Sequence, residues 1–229
     1  MTSAIPGRDA DAPGPEPRSG PVAWISRGVL EQNTRDAASR GIRSFAPSVL
    51  QADAWGHGEA LVRDVLAGAG LTPAEPESDD RALGGATLFG LPGGADGARP
   101  ALRLTGTVLS VKALRRGEGV SYGYAFRAES DTHVALVTGG YAQGIVRALG
   151  NAARVLVGEG RHPIVGRVAM DVCVVDVGDA AVRRGDAAVF LGDAAHGEPG
   201  LEEWMRATNL TAAELVTAVG LRALREVVA

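Results

Sequence analysis

The spacing of apolar residues changes twice along the chain, and each change predicts a different kind of structure. Val22 to Ile25 is a short apolar run with strand character. Ser26 follows as a helix N-cap, and Arg27 to Arg40 carries Val29 and Leu30 among polar residues before Gly41 stops the helix. Phe45 to Ala52 reads as a strand with Pro47 at an irregular start or an edge. Gly58 to Ala67 repeats apolar residues at helical spacing (Leu61, Val62, Val65, Leu66), and Gly68-Ala69-Gly70 closes it. Residues 72–83 are acidic and proline-containing, the texture of a linker. Ala86 to Leu91 reads as a short strand and Pro92 to Pro100 as a loop.

From Ala101 the period shortens. Ala101 to Leu114 is a long strand candidate. Val134–Thr138, Arg154–Val157, Pro163–Ala169, Val172–Val177 and Ala187–Leu191 follow, separated by Gly- and Asp-containing turns. Closely spaced short strands of this kind predict a compact β domain or barrel. Helical spacing returns at Leu201–Ala207 and Thr211–Ala218, where Thr211 and Glu214 fit a capping box. The pattern therefore predicts an α+β chain: a Pro/Gly-rich disordered tail over residues 1–20, a small α/β part over 21–100 and a β domain over 101–229.

Composition narrows this picture. Hydrophobic residues make up 45% and charged residues 22% of 229, enough for a real core. Aromatics are only 4%, so Val, Leu, Ala and Ile must fill that core. A formal charge of −4 argues against nucleic acid or acidic membranes as partners. No apolar run reaches membrane-spanning length, so a cytoplasmic location is the expectation. The single cysteine, Cys173, lies in an apolar run and reads as a buried thiol, and no metal-ligand cluster stands out. Lys112 is the only lysine. It sits in the long strand and reads as a solvated side chain.

Four segments carry candidate chemistry. Residues 51–58 read Gln-Ala-Asp-Ala-Trp-Gly-His-Gly. Residues 117–123 read Gly-Glu-Gly-Val-Ser-Tyr-Gly. Residues 140–144 read Gly-Tyr-Ala-Gln-Gly, and residues 162–171 read His-Pro-Ile-Val-Gly-Arg-Val-Ala-Met-Asp. In this order they resemble the motifs of the alanine racemases. The first resembles Lys-Ala-Asp-Ala-Tyr-Gly-His-Gly, which carries the family's cofactor lysine. The others resemble Gly-Glu-x-Val-Ser-Tyr-Gly, Gly-Tyr-Ala-Asp-Gly and Pro-Ile-Val-Gly-Arg-x-Cys-Met-Asp. Val174–Val177 and Gly185-Asp186 continue the match, and residues 101–228 carry most of it.

The resemblance implies a pyridoxal phosphate (PLP)-dependent isomerase that interconverts L- and D-alanine, built as a TIM-type barrel followed by a β domain. It implies a dimer in which Tyr122, at the family's acid/base position, reaches the partner's cofactor. Tyr141 would line the substrate pocket, and Met170 would offer a backbone N–H to the substrate carboxylate. A small amino acid is the implied substrate.

The departures lie on the cofactor side. Gln51 stands where the Schiff-base lysine belongs, and an amide cannot form an imine. Trp55 stands at a tyrosine that helps hold the cofactor phosphate, and indole can only donate one hydrogen bond. Ala213 stands at another phosphate ligand, and Gln143 replaces the turn aspartate. Ala169 replaces a cysteine, a small-for-small exchange. His57 is retained and reads as structural.

A closed (β/α)₈ barrel takes on the order of 250 residues. Residues 72–83 stand in place of its middle, so only a remnant with open strand edges is expected. Four readings remain open. The chain is a pseudoenzyme that keeps the β domain, or a subunit that pairs with an intact racemase and supplies Tyr122. Otherwise it is an inert fragment, or an enzyme by a route the sequence does not reveal.

Overall fold

A computed structural model describes residues 19–75, 81–121 and 123–229. Most of the expected disordered tail and the middle of the expected linker lie outside the described residues. Strand β1 (Val22–Ser26) leads into helix α1 (Arg27–Ser39), and the Ser26 hydroxyl accepts the Val29 N–H at 3.2 Å as the N-cap. Strand β2 (Ser44–Phe45), a short left-handed segment α2 (Gln51–Trp55), helix α3 (Glu59–Gly68), strand β3 (Thr72–Pro73) and helix α4 (Gly85–Phe89) complete the α/β part.

The β part follows. It comprises β4 (Leu102–Leu114), β5 (Gly119–Val120), β6 (Phe126–Arg127), β7 (Thr132–Thr138), β8 (Arg154–Val157), β9 (Gly160–Val165), β10 (Val172–Asp176) and β11 (Ala187–Leu191). Helices α5 (Leu201–Thr208) and α6 (Ala212–Arg222) and strand β12 (Leu224–Val228) end the chain. The capping box is present: Thr211 Oγ1 accepts the Glu214 N–H at 3.2 Å, and Glu214 Oε2 accepts the Thr211 N–H at 2.8 Å.

Strands β4, β7, β10, β9, β8 and β11 pair antiparallel in that order, and β11 returns to β4, which closes a six-stranded barrel. Strand β4 is long enough to serve two neighbours. Its first half pairs with β11 and β1, and its second half pairs with β7 across a register shift at Val108–Ser110. Gly106 sits where β4 changes partners. A Cβ there would meet the Thr138 carbonyl and stand 2.8 Å from the Phe190 ring, so only glycine fits. The expected fold class holds: a closed antiparallel barrel with a small α/β part.

The α/β remnant closes its edges with neighbours from elsewhere in the chain. Strand β1 is flanked by β4, antiparallel, and by β12, parallel. Strand β2 is flanked by β3 and by a parallel bridge from Phe45 to Leu83. One continuous core joins both parts. It runs from Ile25, Leu30 and Phe89 through Leu104, Val137 and Phe190 to Trp204, Leu215 and Val219, all buried.

Several boundaries differ from the sequence expectation. Residues 45–52 are not a strand: β2 ends at Phe45, and a 3₁₀ turn spans Pro47–Leu50. Pro47 has no N–H to continue a ladder, and its fixed φ suits the start of a helical turn. Residues 86–89 lie in helix α4 rather than in a strand, and Gly90 ends it. Five residues are too few to reveal a period, and the deciding contacts are remote, since Asn33 Nδ2 donates to the Leu88 carbonyl at 3.1 Å. Strand β9 starts at Gly160 and stops at Val165 because Gly166 turns the chain at φ +72°. Strand β12 had no counterpart in the pattern.

Candidate functional site

The first motif folds into an unusual turn. Ala52, Asp53, Ala54 and Trp55 have φ of 50°, 56°, 53° and 53°, so four consecutive non-glycine residues wind left-handed. Each costs roughly 1–2 kcal/mol because Cβ crowds the following carbonyl. Such a turn persists only where its surroundings fix it. The Gly56 N–H closes it on the Ala52 carbonyl at 3.0 Å, and the Gly58 N–H reaches the Asp53 carbonyl at 2.9 Å. Gln51, at its start, is exposed.

Asp53 ties the turn to two other elements. Its Oδ1 accepts the Glu59 N–H at 2.7 Å, at the start of α3. Its Oδ2 accepts from Arg225 Nη1 of β12 at 2.5 Å, and the same nitrogen donates to the Gly56 carbonyl at 3.1 Å. The Glu59 N–H, and after it the Arg225 guanidinium, hold the Asp53 carboxyl below its ordinary range. Trp55 Nε1 donates to the Ser48 carbonyl at 3.1 Å, and its ring packs on Phe89 with centroids 5.4 Å apart. His57 is fully buried and stacks on Phe89 at 4.1 Å. Its Nδ1 donates to the Ala54 carbonyl at 3.1 Å, so Nε2 is the bare nitrogen, and no partner meets it.

The other motifs gather at a separate rim. Tyr122 lies outside the described residues. Its neighbour Ser121, at φ +65°, accepts the Arg167 N–H at 2.8 Å, which pins the loop between β5 and β6 to the turn after β9. The Tyr141 N–H bonds the Ala169 carbonyl at 3.0 Å, and the Ala142 N–H bonds the Met170 carbonyl at 3.0 Å. Arg147 lies over the half-buried Tyr141 ring at 5.2 Å, and Met170 is 54% exposed. Tyr141, Met170 and the loop beside Tyr122 therefore share one surface.

Gln143 bridges a backbone amide and a carboxylate. Its Oε1 accepts the Gly140 N–H at 3.0 Å while its Nε2 donates to Asp171 Oδ1 at 2.9 Å. A carboxylate there would keep the first bond and oppose Asp171 in the second. Gln143→Glu is expected to lose about 1 kcal/mol of stability at pH 7, because the site is exposed and partly screened. Urea unfolding at pH 7 measures it.

Among the described residues, no hydrogen bond, ion pair or ring contact joins the Gln51 turn to this rim. Both pack on α6 instead: Gly144 against Ala218 and Val219, and Gly56 against Gly220. Ala213, also on α6, presents only a methyl group. Lys112 is exposed on β4 opposite Val134 of β7. Arg225 meets Asp53 across 172 positions, a contact that no local pattern marks.

Residues 101–227 match the family model described as the alanine racemase C-terminal domain. The alanine racemase of Thermobifida fusca is 39% identical over 168 residues, covering 72% of this chain and 45% of that protein. The chain spans about half the length of the curated relatives it matches. The crystal structure of alanine racemase from the D-cycloserine producer Streptomyces lavendulae superposes with TM-score 0.61 at 31% identity, over 91% of this chain and 66% of that one. A Bartonella henselae alanine racemase, solved with covalently bound pyridoxal phosphate, shares the fold at TM-score 0.57 and 21% identity, over 90% and 65% of the two chains.

Proposed function

The chain belongs to the alanine racemase family, and from that premise we propose that it is a racemase-like protein without independent racemase activity. The observation that carries this reading is Gln51, exposed at the start of an intact motif turn and offering an amide where the family presents an amine. Pyridoxal phosphate, the family's cofactor, supplies an electron sink that stabilises a carbanion.

The residues on the cofactor side do not fit covalent retention of that group. Gln51 cannot form the imine. The Trp55 N–H is already spent on Ser48, and Ala213 has no hydrogen-bonding atom. Lys112 belongs to an exposed strand position away from the motif turn. No reaction step is therefore assigned to PLP here.

A second reading is favoured by the lack of any hydrogen bond, ion pair or ring contact, among the described residues, between the two groups. Met170 is exposed and Tyr141 half-exposed on their shared rim, and no bond among the described residues ties them to the Gln51 turn. We propose that this surface associates with a racemase subunit, in a homodimer or with an intact enzyme, and that Tyr122 and Met170 serve that partner's site. The small amino acid would then bind on the partner.

A PLP titration followed by absorbance, with and without an intact racemase, tests both readings. The chain alone is expected to racemise alanine no faster than free PLP, and Lys112→Arg should abolish any imine band that does form. Racemisation above the free-cofactor rate by the chain alone would overturn the first reading. Co-purification with the intact subunit, with activity lost in Tyr122→Phe of this chain, supports the second. A chain that stays apart from that subunit removes it.

A further inference from the structure

We infer that Arg225 is the positioning residue that locks the left-handed turn Gln51–Trp55, and that without it the turn relaxes while the barrel stays folded. The turn has a strong reason to relax, because residues 52–55 all sit where L side chains crowd their own backbone. Its internal bonds are few: Gly56 to Ala52, His57 to Ala54 and Gly58 to Asp53. None of these fixes the hand by itself.

Arg225 does so from outside. One guanidinium nitrogen meets both the Asp53 carboxylate and the Gly56 carbonyl, gripping the turn at its middle and at its end. Nη1 carries two N–H groups, one for each acceptor. Asp53 is simultaneously fixed by the Glu59 N–H, so α3 forms the far side of the clamp. Arg225 itself is anchored by β12, which pairs with β1 through Ala23. The lock therefore couples the presentation of residue 51 to the seating of the last strand. The pair is partly exposed, at 31% and 39% for the two side chains, so salt should weaken it.

Hydrogen exchange of the full chain, read by mass spectrometry, tests this. In Arg225→Gln, amides of residues 56–58 are expected to lose at least tenfold protection, while β7 and β10 exchange as in the wild type. Arg225→Lys, which keeps a charge and N–H donors on a differently shaped head, should recover part of the loss. Asp53→Asn, which keeps an acceptor for Glu59, should resemble Arg225→Gln. In the unsubstituted chain, 1 M salt should lower protection of the turn, and Asp53→Asn should not respond.

Protection of residues 56–58 within twofold of wild type in both Arg225→Gln and Asp53→Asn would overturn the inference. So would equal loss in the barrel strands, which would make Arg225 a general stability residue. Because exchange is read without cofactor or partner, neither outcome depends on whether the chain racemises alanine.

Discussion

Gly56→Ala is expected to destabilise the chain by about 4 kcal/mol, and Gly220→Ala by about 2 kcal/mol, against the usual helix preference for alanine. The two glycines face each other where the motif turn meets α6. A Cβ on Gly56 would stand 2.6 Å from the Gly220 Cα, and one on Gly220 would stand 2.7 Å from the Gly56 Cα. Both obstacles are backbone, which cannot rotate away as a side chain can. Overpacking of this kind costs about 1–3 kcal/mol, and the rigidity of both partners puts it at the upper end. Gly56 also has φ +78°, which adds roughly 1–2 kcal/mol for an L residue. Gly220 recovers about 1 kcal/mol because alanine favours the helix interior.

Gly68, at the end of α3, supplies the contrast. A Cβ there meets nothing within 4 Å, so Gly68→Ala should be neutral or slightly stabilising. Urea unfolding of the three variants separates close approach from propensity. Equal stability of Gly220→Ala and wild type would mean that the turn can slide off α6.

The second large effect is acid destabilisation centred on His57. Burial, opposed by the carbonyls of Ala54 and Trp55 and reinforced by the Arg225 charge, pushes its imidazole from an ordinary 6.5 down to about 4. The folded state therefore favours the neutral ring. Above pH 6.5 the ring is neutral in both states and costs nothing. As pH falls from 6.5 to about 4 the unfolded chain takes up a proton that the folded chain refuses, and stability drops by about 3 kcal/mol in total.

Asp53 titrates below its ordinary carboxylate value, so its own contribution is lost at lower pH and does not share most of this window. Stability measured by urea at pH 7, 5.5 and 4.5 should show the slope in wild type and lose it in His57→Gln. An unchanged slope in that variant would place the effect on other groups.

Local pattern was enough for much of this chain. The Ser26 and Thr211 caps, the stripe of α3, and strands β8, β10 and β11 follow from side chains that act on near neighbours. The motif order over residues 101–228 identified the family. The failures share a physical cause. Residues 45–52 looked extended because Ala, Leu and Val tolerate a strand. Pro47 instead starts a 3₁₀ turn, and the left-handed path that follows at residues 52–55 is held by Arg225, the Glu59 N–H and Gly220, which are distant in sequence or belong to backbone. Strand β12 was illegible because its apolar residues remain exposed (Leu224, Val227, Val228) and it is fixed by pairing with β1.

By itself, the sequence determined that residue 51 carries no amine, that the tyrosine-bearing motifs persist, and that a β domain follows a shortened α/β part. These are matters of residue identity and short-range period. Only the tertiary structure decided how the open remnant is covered: β4 and β12 flank β1, while β3 and Leu83 flank β2. It also decided that the Gln51 turn and the loop after Tyr141 pack on neighbouring residues of α6, with no bond between them among the described residues. Such arrangements depend on which distant surfaces exclude water and satisfy backbone groups together, and no local stretch of residues encodes that choice.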